Sequence, residues 1–156
     1  MSNFDIKINV DEVTDTLKRE ILKALEESAG MLQKQVKMNT AVDSSKTKDS
    51  WDYVINSSKF EAVVGSTEEN AIWEEFGTGV HALDGKGRKT PWFIPVEGYT
   101  GKRKPSYKGK VVVVYGKDGK KYFKTDGKKP KRPFYNAKNT VKPRIEMLFN
   151  ERLGKL

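Results

Sequence analysis

The stretch Lys110–Gly127, KVVVVYGKDGKKYFKTDG, holds two runs rich in β-branched and aromatic residues, Val111–Tyr115 and Lys121–Thr125. Between them lies Gly116-Lys117-Asp118-Gly119-Lys120, whose Asp-Gly pair supplies the turn of an antiparallel hairpin. That hairpin excludes an all-helical chain. Far upstream, Val13, Leu17, Ile21, Leu25, Leu32 and Val36 recur every three or four residues, the stripe of a helix with one face in a core. That stripe excludes an all-β chain. The class is α+β, a small, mostly antiparallel sheet packed with helices.

The remaining elements follow from these two. Phe4, Ile6, Ile8 and Val10 alternate with polar residues and read as a half-buried strand. Asp11 is placed to cap the long helix, which would run from about residue 11 to 39 and measure roughly 40 Å. Gly30 is its weak point. AVDSSKTKDS (41–50) reads as a loop, and SWDYVINSS and KFEAVVGS as a second hairpin joined through Ser57-Ser58-Lys59. A short central helix precedes Gly77, which would close it in the left-handed conformation. WFIPV (92–96) is a further strand, flanked by the loops GVHALDGKGRKTPW and GYTGKRKPSYKGK. Pro133 suits the first position of a last helix with Phe134, Ala137, Val141, Ile145, Leu148 and Phe149 on its buried side. Pro143 predicts a kink or break there at Val141–Lys142. At 156 residues the chain is read as one domain, 1–156, with a basic loop and hairpin region at about 80–132.

Composition narrows the function. There is no cysteine, so disulfides, thiolate metal sites and cysteine nucleophiles are excluded, which suits a protein made in a reducing cytosol. No apolar run reaches the roughly 20 residues of a membrane span. MSNFDIKINV lacks the pattern of a signal peptide. The net charge of +9 is unevenly spread: residues 86–132 hold 16 Lys/Arg against Glu97, Asp118 and Asp126, a net of +13, which leaves −4 for the rest. Such asymmetry points to a polyanionic neighbour.

The catalytic inventory is poor. His81 is the sole histidine and has no second imidazole with which to hold a metal. Glu74 and Glu75 are adjacent, about 100° apart on a helix, and are no carboxylate pair by themselves. GVHALDGKGRKT fails as a phosphate-binding loop: five residues separate Gly79 from Gly85-Lys86 where that motif has four. Gly87 also stands where the motif needs Ser or Thr for magnesium. The reading is no enzyme, no metal and no cofactor. A magnesium-dependent nuclease built on Glu69, Glu74 or Glu75 is the enzymatic reading set against it. In the basic region Trp92, Phe93, Tyr99, Tyr107, Tyr115, Tyr122 and Phe123 interleave with cations, as on a surface that stacks bases and neutralises phosphates. The aromatics of the hairpin equally read as sheet packing, and no RNP pattern, GXXG clamp or zinc-ligand set is present. Any DNA contact would be sequence-independent.

Three stretches, NAIWEEFGTGVHA, GKGRKTPWF and YFKTDGKKPKRPFYNAKNT, together resemble the head–tail joining family of long-tailed bacteriophages, the neck or tail-completion proteins. The family's aromatic–acidic–Gly-Thr core falls on Trp73, Glu74, Glu75, Phe76, Gly77, Thr78 and Gly79. Its glycine-rich basic loop ending in Thr-Pro-Trp falls on Gly85 to Trp92, with Lys86, Arg88 and Lys89. Its Pro-x-Pro-Phe-like step before the last helix falls on Lys131, Arg132, Pro133 and Phe134. Two departures stand out. Glu97 to Lys110 is an added or variable loop, and Asn136-Ala137 stands where the family often has Pro-Ala, which bears on the start of the last helix.

The resemblance implies a non-catalytic virion protein, assembled in the host cytoplasm, that forms a homo-oligomeric ring at the neck between the head's connector and the tail. A ring needs head-to-tail interfaces. On this reading Trp73 and Phe76 hold the central helix on the core, and Gly77 and Gly79 permit the chain reversal. Lys86, Arg88, Lys89, Lys102, Arg103, Lys104, Lys128, Lys129, Lys131 and Arg132 face neighbouring subunits or DNA. Connector or head-completion and tail proteins would be the partners, with no membrane involved. A small basic nucleic-acid-binding protein and a tail-terminator ring are the alternatives.

Overall fold

The structure, a computed structural model, describes residues 5–7, 14–41 and 45–155. The fold is α+β. The chain forms two compact units: the first comprises Met1–Thr40, Lys46–Thr67 and Pro133–Leu156, the second Ala41–Ser45 and Glu68–Arg132. Instead of one small sheet there are two, each three-stranded and antiparallel, one in each unit.

The first unit is built on α1 (Asp15–Asn39). Its N-terminal cap is Thr14, whose Oγ1 accepts from the Leu17 N–H at 3.4 Å. The expected cap at Asp11, and the expected strand and helix positions Phe4, Ile8, Val10 and Val13, lie outside the described residues. Ile21, Ala24, Leu25, Ser28, Ala29, Leu32 and Val36 form the buried stripe. Each full burial of a Leu or Val there stabilises by about 1.5–3 kcal/mol. The helix runs unbroken through Gly30, and the Thr40 N–H closes it on the Val36 carbonyl at 2.9 Å. In place of the expected loop, Ser45–Asp49 forms the short helix α2, with Thr47 buried.

β1 (Asp5–Lys7), β2 (Trp51–Asn56) and β3 (Glu61–Ser66) pair in the order β1-β3-β2. The second of the expected hairpins is β2–β3, with Trp51 opposite Ser66, Tyr53 opposite Val64 and Ile55 opposite Ala62. These six share one face, and Trp51, Ala62, Val64 and Ser66 are buried on it. α4 (Pro133–Leu153) packs along α1, and Phe134 stacks on Trp51 with ring centroids 5.7 Å apart. It begins at Pro133, where a missing N–H costs nothing. The expected break at Val141–Lys142 is absent: Pro143 is exposed inside a continuous helix. Packing on both sides of it, through Val141 and Ile145, outweighs the lost bond. Leu148 and Phe149 are only half-buried.

The second unit holds α3 (Glu69–Phe76), a turn of 3-10 helix at Gly79–His81, and the sheet β4 (Trp92–Pro95), β6 (Lys121–Thr125) and β5 (Val112–Tyr115) in that order. The β5–β6 hairpin turns as expected. Asp118 Oδ1 accepts from the Lys120 N–H at 3.0 Å and Oδ2 from the Tyr122 hydroxyl at 2.6 Å.

Candidate assembly site

α3 inverts the expected packing of its motif. Ala71, Glu74 and Glu75 are the buried residues, while Trp73 and Phe76 are 47% and 38% exposed. Trp73 and Phe76 therefore do not hold the helix on the core. A different device does. Glu74 is 2% exposed, and its carboxylate receives the ammonium groups of Lys128, in a short contact, and of Lys131 at 3.4 Å. Its backbone carbonyl accepts from the N–H groups of Lys131 and Arg132 at 2.8 and 3.1 Å. One residue thus ties the helix to the 128–132 segment through both side chain and backbone.

Gly77 ends α3, its N–H bonded to the Trp73 carbonyl at 2.9 Å. With φ 73° and ψ 175° it is in the extended mirror region, open in practice only to glycine, instead of the expected left-handed helical one. The chain then runs beside Asp126–Lys128. Thr78 N–H donates to the Lys128 carbonyl at 2.9 Å, Lys128 N–H to Thr78 Oγ1 at 2.9 Å, and Val80 N–H to the Asp126 carbonyl at 3.0 Å. The approach is too close for a side chain: a Cβ on Gly79 would stand 2.0 Å from the Asp126 carbonyl oxygen. From the other direction, a Cβ on Gly87 would stand 2.0 Å from the Gly79 carbonyl oxygen, and the Trp92 ring edge lies 2.9 Å from the Gly79 Cβ position. The motif around residues 73–79, the loop 85–92 and the 128–132 segment therefore meet at Gly77–Gly79. Pro133 and Phe134 lie instead in the core of the first unit.

His81, just past this crossing, faces a carboxylate that the sequence did not single out. Asp126 is nearly buried, with Oδ1 3.5 Å from His81 Nε2 and Oδ2 accepting from the Lys108 N–H at 2.9 Å. The Lys108 N–H holds this carboxyl below the ordinary range; burial opposes the shift and His81 adds to it. No spacing signal in the sequence marks Asp126.

The candidate cations divide. Lys86, Arg88, Lys89, Lys102, Arg103, Lys104 and Lys129 are exposed, whereas Lys128, Lys131 and Arg132 are half-buried around Glu74. Lys89 Nζ donates to the Gly85 carbonyl at 2.7 Å, which folds the loop on itself. Several aromatics of the basic region carry a cation of this same chain. Arg88 lies over Trp92 at 5.7 Å, Lys124 over Tyr107 at 4.1 Å and Lys121 over Tyr115 at 5.7 Å. Phe123 is buried, with Tyr99 edge-on to it at 5.4 Å. Of the same set, Phe93 and Tyr115 are 54% and 71% exposed. Ile72, Trp73, Phe76, Val80 and Leu83 are exposed apolar residues clustered in sequence, and the Leu83 N–H reaches the Phe76 carbonyl at 2.9 Å. Among the described residues no group of three or more His, Asp or Glu is placed to hold a metal ion, and no helix is long and apolar enough to cross a membrane.

Residues 4–77 match the HK97-gp10-like family, described as "Bacteriophage HK97-gp10, putative tail-component". Over those residues the chain is similar to a phage tail component, in agreement with the resemblance drawn from its motifs. The match takes in α1, the β2–β3 hairpin and α3 and ends at Gly77, so only the first motif, as far as that glycine, falls inside it. No curated protein and no solved structure matches the chain.

Proposed function

We propose that the chain is a structural, non-catalytic protein of the phage neck, where it joins the head's connector to the tail as one subunit of a ring. The observation that carries the reading is the outward placement of Trp73 and Phe76 within the family motif. Large aromatics left half-exposed around one helix end, with the exposed Val80 and Leu83 close by in sequence, suit a protein–protein contact. The glycine crossing and its backbone hydrogen bonds hold that helix end against the 126–132 segment. Cations of the 86–104 loops border the patch in sequence and would steer a neighbour's acidic surface or hold DNA phosphates.

Electron microscopy of a lysate from a phage lacking this gene, beside the complemented control, tests the role. Separate DNA-filled heads and unattached tails are expected. Normally joined particles would overturn the neck reading and return attention to salt-dependent DNA binding by the purified protein.

A further inference from the structure

β5 is an edge strand: its sheet runs β4-β6-β5, and among the described residues no strand pairs with its outer side. The Gly116 N–H to Lys120 carbonyl bond, 2.8 Å, closes the hairpin and sets the alternation of the ladder. Val112 and Val114, opposite Lys124 and Tyr122, then point their backbone groups at β6. Val113 and Tyr115 point theirs outward, and Val111 continues the same phase. The same three residues are 53% (Val111), 45% (Val113) and 71% (Tyr115) exposed. From Val111 to Tyr115 the edge carries no charge, no proline and no bulge, the usual means of protecting an open edge. Its surroundings are strongly positive. Residues 108–124 contain Lys108, Lys110, Lys117, Lys120, Lys121 and Lys124 against Asp118 alone, and Asp118 is engaged within the turn.

We infer that the β5 edge receives an extended, acidic segment of a different protein, which adds a strand antiparallel or parallel to Val111–Tyr115. Backbone bonds to Val113 and Tyr115 would supply the pairing. Flanking lysines would select Asp- or Glu-bearing sequence over others. They also argue against a second copy of this chain on the same edge, which would bring two such lysine sets together. The inference rests on a place for the protein in the virion, and not on the neck role in particular.

The test compares amide hydrogen exchange of the 111–115 segment in purified particles and in the purified protein. Slowing of about tenfold or more in particles is expected at Val113 and Tyr115. Unchanged exchange overturns the inference wherever in the virion the protein sits, whereas a neck role fails separately if the gene-deleted phage joins normally. Val113→Pro removes an outward N–H and no ladder bond, so the hairpin should persist while incorporation into particles falls about tenfold or more. Should that variant misfold, Val113→Lys/Tyr115→Lys blunts the edge with the backbone intact. Normal incorporation of a folded variant overturns the proposal. So does normal incorporation of Lys110→Glu/Lys117→Glu, which would rule out an acidic partner. Protection of β5 in the purified protein that appears only on self-association would assign the edge to a second copy and overturn it as well.

Discussion

Glu74 shows how one residue can carry a fold decision that its neighbours conceal. In the sequence it is an ordinary helix acid between two aromatics; in the fold it is the buried one, held by Lys128 and Lys131. Removing one member of a buried ion pair costs about 3–5 kcal/mol, but the two lysine side chains are 35% and 27% exposed and can turn to water. Glu74→Ala is therefore expected to lower stability by about 2–3 kcal/mol in chemical denaturation, short of that full cost. Asp126 makes a pH statement. Its folded pKa is depressed, chiefly by the Lys108 N–H, so its contribution is fully present above the ordinary Asp value of about 4 and is lost as pH falls through the folded value. Acid titration of stability should show a loss below about pH 4 that is reduced in Asp126→Asn. That variant keeps an acceptor for the Lys108 N–H and loses the charge facing His81.

At the scale of elements, most of the first unit was legible and most of the second unit's wiring was not. The α1 stripe, the β2–β3 hairpin and Pro133 as a helix start all rest on local periodicity or turn chemistry, which a single sequence displays. Trp73 and Phe76 failed that logic because apolar side chains are read as core by default, and only the salt-bridged Glu74 face shows otherwise. The meeting of Gly79, Gly87 and Asp126 is a long-range backbone approach, and no periodicity encodes it. Two helix residues that promised breaks did not produce them, and both now predict gains. Gly30 lies mid-helix with nothing within 4 Å of a Cβ, so Gly30→Ala should stabilise by about 1 kcal/mol, raising the melting temperature by about 2–4 °C. Pro143 sits exposed inside α4, and Pro143→Ala should stabilise by up to about 3 kcal/mol, seen as a shift of the denaturation midpoint at unchanged slope.

For the whole molecule, a positive region of net +13 in a chain of net +9 leaves an acidic remainder, a division that suits neighbours meeting by opposite charge. The apolar contact proposed at the end of α3 supplies what charge alone does not, a desolvated anchor. The central claim is that Trp73 and Phe76 work outside the protein and not within its core. The direct measurement pairs the thermal stability of Trp73→Ser/Phe76→Ser with its ability to complement a phage lacking the gene. A melting temperature within about 4 °C of the unmodified protein is expected, because both side chains already reach solvent. The same variant should leave heads and tails unjoined. A stable variant that joins particles normally would contradict the account, and so would one that unfolds, since the aromatics would then belong to the core.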